Sequence, residues 1–202
     1  MKYLVVIEET VNGYSAYSPD LPGCAGVGQS VEETEQDIRE AIELHVEGLR
    51  AERAITRVVL TYARAVDALD FERLRECFHP DARIHYGEIF SGARDEAITW
   101  LENSLSRLQS TMHDFGAPWI ELDLEAGRAR CETYSTNAAR FPADERGEVV
   151  LNVTGTRYLD VFERRDGEWR ILDRRNQTTW SQNTIEIPTP PPPFAVGSPR
   201  QR

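Results

Sequence analysis

The sequence predicts an α+β fold in which helices come first and a long antiparallel sheet follows them. The first observation is a helical pattern from Ser30 to Asp70, where apolar residues recur every three or four positions. The second is the stretch from Trp119 to Gln177, where apolar and polar residues alternate in long segments separated by turn signals. A shorter β-type pattern precedes Ser30, so the chain divides into a small first unit and a larger second one.

The first fifty residues predict a β-β-β-α unit. Asn12-Gly13 is a strong turn signal between two β-type runs and predicts a hairpin. Asp20-Leu-Pro-Gly23 supplies a second turn, which leads into a third short strand. The predicted strands are Tyr3–Ile7, Tyr14–Ser18 and Cys24–Gly28. A unit this small seldom holds together without partners.

The helical pattern also marks a candidate domain boundary. Ser30 and Glu33 have the capping-box spacing that predicts a helix start. The apolar stripe thins at Arg50–Arg53, although no Gly or Pro intervenes there, so we place the boundary between a domain of residues 1–50 and one of residues 51–182. A continuous helix would fix the two domains relative to each other, and a kink would free them. Residues 183–202 form a Pro-rich tail, either an extended arm or a disordered segment.

Shorter elements are predicted within the second domain. Asp70 is expected to cap a short helix, and Phe78-His-Pro-Asp-Ala82 is expected to break it before a strand. The predicted helices are Phe71–Phe78 and Ala93–Leu108. The predicted strands are Arg83–Tyr86, Trp119–Leu124, Arg128–Asn137, Val149–Arg164 and Trp169–Gln177.

The composition limits the possible partners. The chain has 202 residues, of which 40% are hydrophobic and 28% charged, and a formal net charge of −11. This charge disfavours nucleic acid as a partner, because phosphate binding requires clustered Lys and Arg. Residues 1–50 hold ten acids and three bases, so this unit suits a small basic protein partner.

Membrane, disulfide and metal classes are also disfavoured. No apolar run approaches the ~20 residues that span a bilayer, and Met1-Lys2 leads directly into a β-type run instead of a signal peptide, so a cytoplasmic location without membrane association is expected. Cys24, Cys77 and Cys131 lack disulfide or ligand spacing and are expected to be reduced. The four His residues are scattered and no phosphate loop is present, so we expect neither metal nor cofactor.

Residues near the N-terminus resemble the HicB antitoxin family. The residues that carry the resemblance are Tyr3-Leu-Val-Val-Ile7, Gly13-Tyr14, Ser18-Pro-Asp-Leu-Pro-Gly-Cys24, Gly28, Glu32-Glu33 and Ile38-Arg-Glu-Ala-Ile42. The resemblance implies a partial ribonuclease-H-like fold that self-associates and, in the antitoxins, masks a small basic RNA-cleaving toxin. The DNA-binding segment that usually follows in that family is missing from this sequence.

Residues from about 52 to 180 resemble the SnoaL-like polyketide cyclase and dehydratase families. The matching residues are Tyr62, Asp67, Asp70, Phe78-His-Pro-Asp-Ala82, His113, Gly155, Tyr158, Asp160, Asp166-Gly-Glu-Trp-Arg-Ile171 and Arg174. The resemblance implies a cone-shaped α+β barrel, with helices packed on a curved antiparallel sheet around a pocket for a small apolar substrate. Cone folds commonly pair through the open sheet face, so a homo-oligomer is expected.

The same resemblance suggests four catalytic residues. In the dehydratases, a Tyr on the first helix, an Asp five residues later and a His after the third helix meet inside the cone. His113 would be the base, because a neutral imidazole near pH 7 is suited to removing a carbon-bound proton. Asp67 would orient the imidazole, and Tyr62 would donate its phenolic proton to the oxygen that gains charge. Arg174 would orient the substrate or stabilise an enolate.

Four further residues are candidates for substrate binding. Tyr86 shares a strand with His85, and one of the two should face the pocket because strand residues alternate. Asn152 and Thr154 share a strand face and could donate hydrogen bonds to a polar group. Trp119 is the fourth candidate. His79 and His45 are expected to be structural and solvated, respectively.

These residues leave the function open between two classes. One is a cofactor-independent lyase or isomerase, foremost a dehydratase, acting on a small polycyclic, steroid-like or polyketide-like substrate. The other is an antitoxin-like interaction protein, in which residues 1–50 bind a small basic toxin and the barrel is a scaffold without catalysis. The two units could also have been joined through a shared helix, naturally or by engineering, and residues 1–50 would then have no role in the reaction.

Overall fold

A computed structural model of the chain describes residues 2–186. Three short strands, β1 (Val6–Thr10), β2 (Gly13–Tyr17) and β3 (Ala25–Gly28), precede the long helix α1 (Val31–Ala68). The second domain continues with α2 (Phe71–Glu76), β4 (Phe78–Tyr86), β5 (Phe90–Ala93) and α3 (Arg94–Leu105). Its remaining strands are β6 (Ser110–Phe115), β7 (Trp119–Asp123), β8 (Arg128–Arg140), β9 (Val149–Arg165) and β10 (Glu168–Glu186).

Two separate sheets confirm the predicted α+β class. The first has three strands in the order β1-β2-β3, and the second has seven, in the order β5-β4-β10-β9-β8-β6 with β7 paired to β8. Neighbouring strands run antiparallel except β4 and β10, which are parallel. The second sheet curves around the C-terminal half of α1, as the cone-shaped barrel requires.

Helix α1 is continuous and belongs to both hydrophobic cores. The Oγ of Ser30 accepts a hydrogen bond from the amide of Glu33 (3.2 Å), and the carboxylate of Glu33 accepts one from the amide of Gln29 (2.8 Å). The Ser30 half of the predicted capping box is therefore present, whereas the Glu33 carboxylate bonds the amide one residue before the N-cap. Ile38 and Ile42 pack under the three-stranded sheet, whereas the next buried positions, from Ala51 to Val66, pack inside the cone. The helix passes through Arg50–Arg53 without a break.

One ion pair joins the two units beside this helix. The guanidinium of Arg164 in β9 lies 2.6 Å from the carboxylate of Glu47 in α1. The two partners are far apart in the sequence, so this contact links the first half of the helix to the sheet, but an ion pair this exposed adds little stability by itself. The orientation of the helix is constrained mainly by the packing of its buried residues into both cores.

Several predicted boundaries were wrong for identifiable reasons. β1 begins at Val6 instead of Tyr3, because Leu4 uses its backbone to bond the turn: its amide donates to Asp20 (2.8 Å) and its carbonyl accepts from Ser18 (2.9 Å). Phe78–Ala82 does not separate α2 from a later strand but forms the first part of β4. The register of β4 against β10 shifts beside this segment, between Ile171 and Asp173, and this irregularity accommodates a proline.

The last strand is also longer than predicted. β10 pairs with β9 from Glu168 to Glu186, past the predicted end at Gln177 and past the predicted domain boundary at 182. The Pro-rich segment of the expected tail lies outside the described residues. No helix within residues 2–186 is both long enough and apolar enough to cross a membrane.

The three cysteines are free and buried, which leads to a first testable prediction. Burial raises the pKa of the Cys77 thiol and of the Cys131 thiol to about 11, and Cys24 is only 5% exposed. Few thiolates of Cys77 and Cys131 form near pH 8, and burial keeps reagent from all three thiols. Folded protein should therefore react with 5,5′-dithiobis(2-nitrobenzoate) at least about tenfold more slowly than unfolded protein. Rapid labelling of native protein at the rate seen in guanidinium would contradict this.

Candidate active site

Asp67 and His113 form a hydrogen-bonded pair between α1 and β6. Asp67 lies in the last turn of the helix, which ends at Leu69 in a left-handed conformation (φ 55°). One carboxylate oxygen, Oδ1, lies 2.7 Å from Nδ1 of His113, and the other, Oδ2, accepts the backbone amide of His113 at 2.8 Å. The carboxylate therefore holds the ring and the backbone of the same residue, which fixes the position of the imidazole.

Thr111 completes the hydrogen bonding of this carboxylate. Its hydroxyl donates to Oδ1 of Asp67 at 2.7 Å and lies 3.2 Å from Nδ1 of His113. Partial burial raises the pKa of Asp67, but the hydrogen bonds from the His113 side chain, from Thr111 and from the His113 amide outweigh it and bring that pKa below its usual value. Asp67 is thus an anion near neutral pH.

This pairing assigns the two ring nitrogens of His113. Because Asp67 is an acceptor, Nδ1 carries the proton of the neutral ring, and Nε2 keeps a free electron pair. The His113 side chain is 12% exposed, so it is largely removed from water while remaining accessible. A surface groove of about 560 Å³ reaches the pair, and its lining includes Leu60, Ala63, Arg64 and Phe115. The arrangement places an oriented imidazole beside a surface groove.

Tyr62 lies deeper in the cone than the pair. Its hydroxyl is 2.8 Å from the hydroxyl of Tyr86, and both side chains are buried. Phe115 connects this region to the pair, because its ring centroid lies 6.1 Å from that of Tyr62 and 6.3 Å from that of His113. Burial raises the pKa of Tyr86 to about 12 and that of Tyr62 well above its usual value, so both phenols keep their protons.

Arg174 is fully buried and paired with Asp160. Two nitrogens of its guanidinium donate to the two carboxylate oxygens at 2.7 and 2.6 Å, and neither side chain is exposed. The guanidinium carbon lies 3.9 Å from the ring centroid of Tyr62 and 4.8 Å from that of Tyr158. Burial lowers the pKa of Arg174, but the adjacent Asp160 carboxylate more than offsets it and keeps the group charged. Arg175, as predicted, points to the other face.

Three buried polar atoms in residues 2–186 have no hydrogen-bond partner. They are Oγ of Ser135, Oδ1 of Asn137 and Nη1 of Arg174. Asn137 lies directly opposite His113 in the β6–β8 pairing, and its amide nitrogen donates to Thr156 at 3.2 Å. Buried polar groups are nearly always paired, so free donors and acceptors around one interior indicate a place for polar atoms of a ligand or water.

The predicted substrate-binding residues do not all lie at the interior of the cone. Tyr86 reaches the interior and Tyr62, as described above, whereas His85 on the opposite face contacts the hydroxyl of Ser91 at 2.8 Å. Thr154 pairs across the sheet with Asn137 and thus lies in the same cross-strand row as His113. Asn152 lies one row further out, where its amide donates to Ser181 and Asn183 at 2.9 and 2.6 Å.

The structure does not bring Trp119 to this interior. Its side chain is 72% exposed, at the start of β7 opposite Glu132. Glu132 points away from the core, because the neighbouring Cys131 and Thr133 are the buried residues of that strand. Trp119 therefore lies on the outer face of the sheet, where it lines a separate groove, and not in the cone interior where we expected a substrate-binding residue.

The other two histidines lie apart from the Asp67–His113 pair. His79 is buried, and its Nε2 lies 2.8 Å from the carbonyl of Glu163, which agrees with a structural role. His45 is half-buried on α1 instead of fully solvated. Within residues 2–186, no group of three or more His, Cys, Asp or Glu side chains is arranged to hold a metal ion.

The sequence reasoning missed Thr111, Phe115 and Asn137. Thr111 and Phe115 flank His113 at two-residue spacing on β6, so they share its face of the sheet. We had expected His113 merely to follow a helix, and this spacing would have identified both residues had a strand been predicted. Asn137 ended a predicted strand, and only the pairing register shows that it lies opposite His113.

Comparison with known proteins identifies the family that the larger part of the chain matches. Residues 47–175, more than half of the chain, match the model of the SnoaL-like domain. The chain belongs to the SnoaL-like domain family. Among solved structures, similar folds include a protein from Novosphingobium aromaticivorans provisionally assigned as a scytalone dehydratase (TM-score 0.60, 22% identity, 73% of this chain and 97% of that one). Another is a type 2 hexachlorocyclohexane dehydrochlorinase, LinA (TM-score 0.62, 19% identity, 74% and 99% covered).

A second match precedes and overlaps the SnoaL-like domain. Residues 3–74 match the model of the HicB-like antitoxin of bacterial toxin-antitoxin systems. A UPF0150 protein of Helicobacter pylori is 49% identical over 47 residues, which are 23% of this chain and 65% of that protein. The chain thus spans just under two thirds of this relative's length. Both predicted resemblances are confirmed, and the two matches overlap on α1, the helix that both cores share.

The lowered pKa of Asp67 predicts how pH affects stability. A carboxyl whose pKa is lower in the folded state stabilises the protein above its unfolded pKa of about 4, and this contribution is lost as pH falls through the folded value. The destabilisation caused by Asp67→Asn should therefore be largest near pH 7 and shrink below about pH 4. Urea denaturation at both pH values measures it, with the exposed Glu88→Gln as control. An unchanged difference across this range would contradict the assignment.

Proposed function

We propose that the SnoaL-like domain catalyses a cofactor-independent elimination on a small, largely apolar substrate. The observation that carries the proposal is the contact of 2.7 Å between Oδ1 of Asp67 and Nδ1 of His113, which leaves Nε2 as a base. The names of two structural neighbours, a dehydratase and a dehydrochlorinase, support it, because losing water and losing hydrogen chloride are both eliminations.

The proposed reaction begins at Nε2 of His113. This nitrogen removes a proton from a carbon next to a carbonyl or another activating group, and the electrons of the broken C–H bond form a new C=C bond. The bond from the neighbouring carbon to its hydroxyl breaks, and the imidazolium returns the proton to that hydroxyl, so water leaves. The imidazolium that exists between these two steps is stabilised by the carboxylate of Asp67, because the lowered pKa of Asp67 keeps that carboxylate ionised.

Tyr62 and Arg174 are the proposed donors for charge that develops on the substrate. The raised pKa of Tyr62 keeps its phenol protonated, so it can donate a hydrogen bond to an enolate oxygen. Nη1 of Arg174 has no partner and is a second donor in the same interior. Phe115 lines the groove and packs against the buried ring of Tyr158, with centroids 4.8 Å apart, so it is the proposed apolar contact for the substrate.

The proposal is tested by offering two eliminations to the purified chain. Scytalone reports dehydration through its change in ultraviolet absorbance, and hexachlorocyclohexane reports dehydrochlorination through chloride release. Running each reaction in D2O shows whether unreacted substrate exchanges its carbon-bound proton, which would reveal base action even when no group leaves. A product of unchanged mass with a moved double bond would indicate isomerisation. No turnover and no exchange above the level of a His113→Ala control would contradict the proposal.

We further propose that residues 1–50 can bind a small basic protein, as the HicB-like match suggests. A groove of about 670 Å³ runs between β1 and α1, with Val5, Ile7 and Ile38 inside it. Its lining carries two carboxylates, Glu35 and Glu43, and two bases, Lys2 and Arg39, the second of which is paired with Glu35 at 2.8 Å. Within residues 2–186, β1 pairs only with β2, so its other edge is open to a partner strand.

Co-purification distinguishes this second activity from catalysis. The chain, expressed in its natural host, should retain a protein of high isoelectric point, and the charge reversal Glu35→Lys with Glu43→Lys should release it. Asp67→Asn should leave the complex intact, since Asp67 lies at the other end of α1. If the charge-reversed variant retained the same protein, this groove would not be its binding site.

A further inference from the structure

A groove lies where α1 passes between the two units, well apart from the Asp67–His113 pair. It measures about 760 Å³ and is bounded by the middle of α1, the end of α2 and the turn between β9 and β10. Arg50, Arg53 and Arg57 line it from α1. Their spacing of three and four residues places them on one side of the helix. Arg57 and Asp67 are ten residues apart, which is about 15 Å along a helix.

These three arginines differ from most others in the described chain because their side chains have no hydrogen-bond or ion-pair partner. No hydrogen bond or ion pair within residues 2–186 involves the guanidinium of Arg50, Arg53 or Arg57, and all three side chains are exposed. By contrast, the nearby Arg164 and Arg170 are paired with Glu47 at 2.6 Å and Glu168 at 2.5 Å. Three free guanidiniums on one side of a helix repel one another, which an anion between them would relieve.

The floor of the groove is apolar. Trp169 is 6% exposed and Cys77 is 3% exposed, and Val58 lies half-buried beside them. Two carboxylates also line the groove, Glu76 and Glu168, and the second is already neutralised by Arg170. The lining therefore carries more positive than negative charge, in a chain whose net charge is −11.

We propose that this groove binds a small organic phosphate with an apolar body. The planar guanidinium presents paired donors that match phosphate oxygens, and three of them can surround one dianion. The volume of the groove is in the range of small-molecule sites, and the half-buried side chains of Ala54 and Val58 can contact an apolar or aromatic group. A long polyanion such as nucleic acid is disfavoured, because the negative charge of the surrounding chain repels whatever extends beyond the groove.

The probe that matches this chemistry is 1-naphthyl phosphate. Isothermal titration calorimetry of the full chain should show one site for this probe. Inorganic phosphate, which lacks the naphthyl ring, and 1-naphthol, which lacks the phosphate, should both bind more weakly. The double substitution of Arg53→Gln and Arg57→Gln should weaken binding by about tenfold or more, since each removes a charge-assisted hydrogen bond. Arg107→Gln removes a similarly exposed charge outside the groove and should leave the affinity unchanged.

The remaining outcomes decide against the site. Equal affinity in the parent and the double variant would place the probe elsewhere. Equal affinity for 1-naphthol and 1-naphthyl phosphate would show that the arginines do not recognise the phosphate. Loss of self-association in the double variant, measured by sedimentation without the probe, would show that the groove binds the acidic first unit of another copy instead. Asp67→Asn should bind the probe normally, so the result is independent of the proposed elimination.

Discussion

Replacing His113 by alanine should reduce kcat for the elimination by about 100-fold to 10,000-fold, the contribution expected of a positioned general base. Asp67→Asn should have an effect of similar size, because an amide can donate to Nδ1 and then favours the tautomer whose proton sits on Nε2, where it blocks the base. The double variant should be little worse than either single one, since the two side chains act as a unit. Steady-state rates with the substrate that the parent turns over measure all three.

Two controls separate this effect from a loss of folding. Thr111→Val keeps the shape of the side chain that contacts Asp67 and removes its hydroxyl, so it should lower the rate by much less than Asp67→Asn. The circular dichroism of each variant should match that of the parent. If His113→Ala were as fast as the parent on a substrate whose turnover is confirmed, His113 would not be the base.

Replacing Arg174 by methionine should destabilise the second domain by about 3–5 kcal/mol. The substitution leaves the carboxylate of Asp160 without its bidentate partner at a position with no exposed side-chain surface. An uncompensated buried charge costs far more than the packing changes of a hydrophobic replacement. Replacing both residues, with Arg174→Met and Asp160→Leu, should recover much of the loss because no charge then stays buried.

Urea denaturation followed by tryptophan fluorescence measures this effect, since all four tryptophans lie beyond residue 99 and report on the second domain. The matched control is the exposed pair of Arg73 and Asp70, whose side chains are 54% and 45% exposed. Arg73→Gln should change stability by about 1 kcal/mol or less. If the Arg174 variant behaved like this control, water would have to reach the buried pair.

The sequence predicted the elements that have strong periodic patterns. It missed strand segments whose formation depends on pairing with another strand. The capping spacing of Ser30 and Glu33 and the apolar stripe that follows identified the start of α1, because a helix is encoded by neighbours along the chain. The extension of β10 to Glu186 is stabilised by β9, and its own residues carry little alternation. Pairing across a sheet depends on residues distant in sequence, which a local pattern does not contain.

The candidate site shows the same division. The family pattern led to Asp67 and His113, and the structure places them in contact. It did not show that Arg174 would be occupied by Asp160, which the pairing register places directly opposite it in the β9–β10 hairpin. It also did not show that Tyr62 would bond Tyr86, because that contact depends on how β4 packs against α1. Trp119 was expected to face a ligand, but the edge strand β7 turns it outward, and its sequence neighbourhood has no signal for this.

The continuous helix α1 sets the rotational orientation of the two units relative to each other. Its 38 residues extend for roughly 57 Å at 1.5 Å per residue. Inserting a single residue near Arg50 would turn the first unit by about 100° around the helix axis and shift it by about 1.5 Å. Glu47 would then leave Arg164, although each hydrophobic core could remain intact. Any insertion or deletion in this helix therefore rotates one unit relative to the other. Only a change close to a whole number of helical turns restores the original relative orientation of the two units.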